Sequence, residues 1–118
     1  MPISSEEGTS PKGQRLLVSK VSGQVSLADA EAMGNLLKPG QPFHHAKVLC
    51  IVDKSTDYHA DARRHFKTFT GNYAKMATVV SSSLVRATIN FMVRIIGTGD
   101  AMKLFNTEAE ALAWLDEN

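Results

Sequence analysis

The sequence predicts an α/β domain built on a four-stranded, mostly parallel sheet, with four helices alternating with the strands. Three observations carry that prediction. The run Lys47-Val48-Leu49-Cys50-Ile51-Val52 is apolar without interruption after its lysine, as expected of a parallel strand covered on both faces. Segments between such runs place apolar residues at helical spacing. Clusters of glycine, proline, serine and asparagine separate the two kinds of segment.

The elements follow in order. Residues 1–14 are polar, with Ile3 their only large aliphatic residue besides Met1, and read as a mobile leader to a domain over 15–118. Leu16, Leu17, Val18 and Val21 make a first strand that ends at Ser22-Gly23. Ser26 with Asp29 three residues on is a variant capping box, and Leu27, Ala30, Met33 and Leu37 form one face of the helix behind it. Pro39-Gly40-Gln41-Pro42 stops that helix. The strand at 47–52 follows, and a loop over 53–59 leads into a helix with Ala62, Phe66 and Phe69 on one face. Gly71-Asn72 breaks it, and residues 76–80 form a third strand ending at Ser81-Ser82-Ser83.

Residues 84–96 make the most informative segment. On a helical wheel Arg86, Asn90 and Arg94 fall in one narrow arc shared only with Val93. Leu84, Val85, Ile89, Phe91, Met92, Ile95 and Ile96 occupy an apolar arc about 200° wide. A helix so apolar is expected to be covered on more than one side, by the sheet and a neighbouring helix or by a second subunit. Gly97 and Gly99 close it, Met102, Leu104 and Phe105 make the last strand, and Thr107 with Glu110 caps a final helix whose core face is Ala111, Leu112 and Leu115.

Composition narrows the function. A chain of 118 residues with 43% hydrophobic and 21% charged residues accommodates one domain with an ordinary core. Its net charge of +1 gives no electrostatic reason to expect nucleic acid or an anionic membrane as partner. Lys12, Arg15 and Lys20 are dispersed charges, not a basic patch. The single cysteine, Cys50, lies within an apolar run and reads as a small buried hydrophobe. No stretch is long enough to span a membrane and none resembles a secretory signal, so the expected location is the cytoplasm.

The stretch Lys103-Leu104-Phe105-Asn106-Thr107-Glu108-Ala109-Glu110-Ala111-Leu112-Ala113-Trp114-Leu115 resembles the closing signature of small bacterial proteins related to the STAS domains of anti-sigma-factor antagonists and to CRAL-TRIO-like lipid carriers. Arg86-Ala87-Thr88-Ile89-Asn90-Phe91 and Ala62-Arg63-Arg64 resemble the middle helices of the same group. The likeness spans residues 16–115. It implies a STAS-like fold with helices mainly on one face of the sheet, and often a homodimer. Such domains also open with an extra antiparallel strand, for which the polar leader is a poor candidate. The antagonists carry a phosphorylatable serine at the start of the helix after the second parallel strand. Here that place reads Tyr58-His59-Ala60-Asp61-Ala62, with no hydroxyl where that serine is expected. Asp61 reads either as an imitation of a permanently charged state or, the simpler account, as ordinary compensation of the helix dipole.

Ligands of open α/β sheets sit beyond the carboxyl ends of the strands. Ser81, Ser82 and Ser83, with Arg86 one turn on, are therefore the best candidates for binding an anion or partner, set against simple capping and solvation. Asn90 and Arg94 extend the same stripe, either as a solvated edge or as a contact surface. His44-His45 and His59 with His65 have the wrong spacing for one metal, and no cofactor is expected. Gly97-Thr98-Gly99 lies between a helix and a strand, the reverse of a dinucleotide loop.

The leading expectation is a non-catalytic interaction or regulatory module, a homodimer that meets a protein partner through the loop and helix starting at Ser81. The first alternative is a carrier of a small apolar or lipid-like ligand held beneath the 84–96 helix, lined by Met33, Met76, Phe91 and Met92. The second is a small hydrolase or transferase using Ser55, or His59 with Asp57 or Asp61.

Overall fold

A computed structural model describes residues 2–96 and 101–117 of the chain. The turn expected at Gly97 and Gly99, and the side chains of Ile95 and Ile96, lie outside the described residues. Among the described residues seven strands and four α-helices follow one another as β1 (Ile3–Thr9), β2 (Arg15–Val21), β3 (Gln24–Val25), α1 (Leu27–Leu37), β4 (Lys47–Val52), β5 (Asp57–Tyr58), α2 (Ala60–His65), β6 (Lys75–Val80), α3 (Ser83–Ile96), β7 (Met102–Phe105) and α4 (Glu108–Leu115). A 3-10 turn, Phe66–Phe69, continues α2.

The main sheet has five strands in the order β1-β2-β4-β6-β7, and β3 and β5 pair separately. It is mixed, not four-stranded: β2, β4, β6 and β7 are parallel, while β1 runs antiparallel along the edge of β2. The segment read as a mobile leader thus supplies the opening strand. Its polar composition is compatible with an edge position, where one row of backbone groups is paired and charged side chains such as Glu6 and Glu7 discourage further pairing. Ile3 is buried, and Ser5 Oγ lies 2.8 Å from Ser19 Oγ. Gly8 is required by close approach, since a Cβ there would stand 2.6 Å from Val18 Cγ2.

Alternation along each strand divides the core in two. Leu17, Val21, Val48, Cys50, Val52, Met76 and Val80 face α1, α2 and α3. Leu16, Leu49, Ala77 and Val79 face α4 alone, through Ala111 and Leu115. Three helices on one face and one on the other agree with helices lying mainly on one side. Ser26 and Asp29 form the reciprocal capping box of α1. Thr107 Oγ1 accepts the Glu110 N–H at 3.2 Å and starts α4.

The far end of α4 is held by cations. Lys47 Nζ reaches the Leu115 carbonyl and Gln14 Oε1, and Lys75 Nζ donates to the carbonyls of Trp114 and Glu117 at 3.1 and 3.0 Å. Both ammoniums sit where the helix dipole is negative. Asp116 accepts from the Lys12 N–H at 3.1 Å and from Gln14 Nε2 at 3.2 Å, tying α4 to the β1–β2 turn.

Of the two expected coverings of α3, that by the sheet with a neighbouring helix leaves one side open within the single chain. Val85, Ile89 and Met92 are buried against the sheet, whereas Leu84 is 79% and Phe91 63% exposed. Of the described apolar residues of α3, Val85, Ile89 and Met92 thus face the sheet and Leu84 and Phe91 face outward.

Candidate functional site

Beneath α3 the layers do not close. A cavity of about 60 Å³ lies between α3, the sheet and the α2–3-10 segment. Met33 comes from α1, Met76 from β6, Met92 from α3 and Met102 from β7, and all four line it. The chain has five methionines, and the fifth is Met1, so every internal methionine converges here. Phe66 and Phe69 add an aromatic wall, packed edge to face at 5.0 Å. The side chains follow from the strand period of two: Met76 and Thr78 share one face of β6, and Cys50 lies beside Thr78 on β4.

The polar part of the lining is small, the Cys50 thiol, the Thr78 hydroxyl and the phenols of Tyr58 and Tyr73. Ser5, Ser19, Cys50 and Thr78 stand in register across four neighbouring strands. Ser5 and Ser19 bond to each other. Thr78 is 2% exposed, and its Oγ1 has no hydrogen-bond partner among the described residues. Burial pushes the Cys50 thiol up to about 12, so it stays protonated at neutral pH and is a poor nucleophile. Tyr58 also lines the cavity, and its phenol is raised by desolvation first and by Cys50 second. No charged side chain borders the space among the described residues.

Of the residues expected to line such a pocket, Met33, Met76 and Met92 do so and Phe91 does not. Thr78, Met102, Tyr58 and the two phenylalanines were not expected. Their signal was available in strand parity for Thr78 and Met102. For the others it required knowing how α1 and the 3-10 turn meet.

The stripe at the carboxyl ends of the strands is arranged differently. Ser82 Oγ accepts the Val85 N–H at 3.4 Å, which is a capping contact. Ser81 and Ser83 are exposed. Arg86 donates to the Val80 carbonyl at 3.2 Å and to Asn106 Oδ1 at 2.7 Å, joining α3 to the ends of β6 and β7. Asn90 and Arg94 are exposed along the outer side of α3.

The Ser55 hydroxyl donates to Asp53 Oδ2 at 2.6 Å and accepts the Gly23 N–H at 3.1 Å. Hydrogen bonds from the Ser55 side chain and then its backbone hold the Asp53 carboxyl below its ordinary range. His59 Nε2 lies 3.1 Å from Gln24 Oε1, and the Ser55 hydroxyl is engaged with Asp53 and Gly23 instead. His44 and His45 occupy a turn, not a strand, and their rings stack at 3.9 Å, each bonded to a backbone carbonyl.

The family described as Domain of unknown function (DUF7793) matches residues 16–118. The chain belongs to that family. A solved structure with the same arrangement as this DUF7793 chain is an uncharacterised protein from the DUF3478 family of Shewanella loihica PV-4, described as having a SpoIIAA-like fold. The TM-score is 0.68 at 18% identity, over 96% of this chain and 93% of that one. That likeness establishes the fold alone. It agrees with the STAS side of the resemblance, and nothing found supports the CRAL-TRIO side. No functionally curated protein matches the DUF7793 chain. Among the described residues no helix is long and apolar enough to cross a membrane.

Proposed function

We propose that this chain is a non-catalytic binding protein that holds a small apolar ligand beneath α3. The observation that supports the reading is the convergence of Met33, Met76, Met92 and Met102 on one cavity. Methionine is unbranched and polarizable, so such a wall adapts to a guest at little cost in strain. The existing space is about four to six times what one water needs, enough for a compact guest once the methionines adjust. Native mass spectrometry of protein purified without detergent tests the reading, with thermal unfolding in saturating five- to seven-carbon alcohols and hydrocarbons beside it. A bound mass released on denaturation is expected, or stabilisation by about 1.4 kcal/mol at ten times the Kd. A bare chain that none of these compounds stabilises would refute it.

A second reading is a protein-contact module acting as a homodimer through the outer side of α3. The exposure of Leu84 and Phe91 favours it. Ser81, Ser82, Ser83, Arg86, Asn90 and Arg94 would then supply the polar rim. Sedimentation tests it: a dimer abolished by Phe91→Ser is expected, and a monomer at high micromolar concentration removes it.

A further inference from the structure

We infer that the guest of the α3 cavity is electrically neutral and carries one hydrogen-bonding oxygen, which meets the orphaned hydroxyl of Thr78. The inference rests on the binding reading above and adds the chemical class of the ligand.

Thr78 is the observation that points to a ligand. Its side chain is 2% exposed, lines the cavity and has no hydrogen-bond partner among the described residues. Buried hydroxyls are nearly always bonded, because leaving one unpaired forfeits the hydrogen bond it had in water. Its neighbours in register show how the same requirement is met elsewhere in the row: Ser19 is wholly buried and is served by Ser5. Thr78 faces Cys50 on one side and Leu104 on the other, and neither a protonated thiol nor an aliphatic chain is a strong partner.

A resident water competes for the same hydroxyl. Buried waters make about three hydrogen bonds, and the polar groups of the lining are the Thr78 hydroxyl, a weak thiol and the phenols of Tyr58 and Tyr73. An oxygen attached to an apolar body needs a single partner and fills the rest of the space with carbon.

Charge sets the second half of the class. No lysine, arginine, histidine or carboxylate borders the cavity among the described residues. An ionised carboxylate or amine would be buried without a counter-ion, which is strongly unfavourable. Alcohols, ketones and comparable neutral molecules remain.

Cyclopentanol and methylcyclopentane are matched in size and differ in that one oxygen. Their Kd values are measured by titration calorimetry on the full chain and on Thr78→Val and Thr78→Ser. Thr78→Val is expected to raise the Kd of cyclopentanol about five-fold and to leave that of methylcyclopentane unchanged or lower. Thr78→Ser keeps the oxygen and is expected to retain the cyclopentanol affinity within about two-fold. If both compounds bind and Thr78→Val moves neither, the assignment to Thr78 is overturned while the binding reading stands. If neither compound binds the natural chain, the binding reading falls and this inference with it.

Discussion

Thr78→Val should stabilise the ligand-free protein, an unusual outcome for a substitution in a well-buried strand. The two side chains have nearly the same shape, so the change removes one hydroxyl and adds one methyl without a new void. The hydroxyl is buried and unpaired, which costs about 1–3 kcal/mol by comparison with mutational series. Valine removes that cost, adds apolar contact with the Met76 side of the cavity, and suits a parallel strand. A gain of about 2 kcal/mol is expected. With a urea slope of about 1.5 kcal/mol/M, it moves the unfolding midpoint up by about 1.3 M. The melting temperature rises by about 8 °C. Thr78→Ser is the control: it keeps the unpaired oxygen, loses a buried methyl, and should cost about 1 kcal/mol. Equilibrium urea unfolding followed by circular dichroism measures all three proteins. A Thr78→Val protein no more stable than the natural chain would show that the hydroxyl is already satisfied. Thr78 would then have no unpaired hydroxyl to offer a ligand oxygen.

Other consequences concern the two faces of the sheet. Leu115 is fully buried on the side covered by α4 alone, so Leu115→Ala should cost about 2–5 kcal/mol in urea unfolding. A loss under about 1 kcal/mol would mean that this face is not a packed core. Gly34 faces Phe69, and a Cβ there would stand 2.6 Å from Cε1 of a ring that is itself buried. Gly34→Ala gains about 1 kcal/mol of helix propensity and loses about 1–3 kcal/mol to overpacking, so a lower urea midpoint is expected, and a higher one contradicts the contact. Asp116 is held below the ordinary carboxylate value of 3.8 by a hydrogen bond from Ser10 first, then by the Lys12 N–H and charge and by Gln14. A carboxyl lowered in the folded state adds stability that is fully present above its unfolded value and is lost as pH falls through the folded one. Stability should therefore decline below about pH 4, and Asp116→Asn should flatten part of that decline in urea titrations at stepped pH.

Much of the architecture was legible in the chain because local and global signals coincide. The strand at 47–52 and the stops after Leu37 and Phe69 were read where they occur, since continuous apolarity and breakers act locally. The capping contacts at Ser26 and Thr107 were read for the same reason. The first strand was missed. Residues 3–9 have almost no apolar content, and what holds them is a ladder of backbone bonds to β2, which no side chain announces. The polar stripe of Arg86, Asn90 and Arg94 was legible, but not the direction in which α3 turns its apolar arc. That direction is set by what lies underneath, and it leaves Leu84 and Phe91 outside.

The cavity was half legible. Three methionines at mid-element positions were singled out as adaptable packing, and they do converge. Phe91 was placed with them only because a wheel gives no depth. Thr78 looked like an ordinary β-branched residue in an apolar strand, and its significance appears only once its neighbours are known to lack a partner for it. Arg86, read either as a charge for an anion or as a solvated side chain, is engaged with Asn106 and the Val80 carbonyl.

The central claim is that the space under α3 admits a small guest. Carbon-13 labelling of the methionine methyl groups tests it, because Met1 and the four internal methionines report inside and outside the cavity in one spectrum. On addition of cyclopentanol the signals of Met33, Met76, Met92 and Met102 should move together and saturate, while that of Met1 stays fixed. Five signals that remain in place at millimolar alcohol, or that drift alike without saturation, would contradict the account.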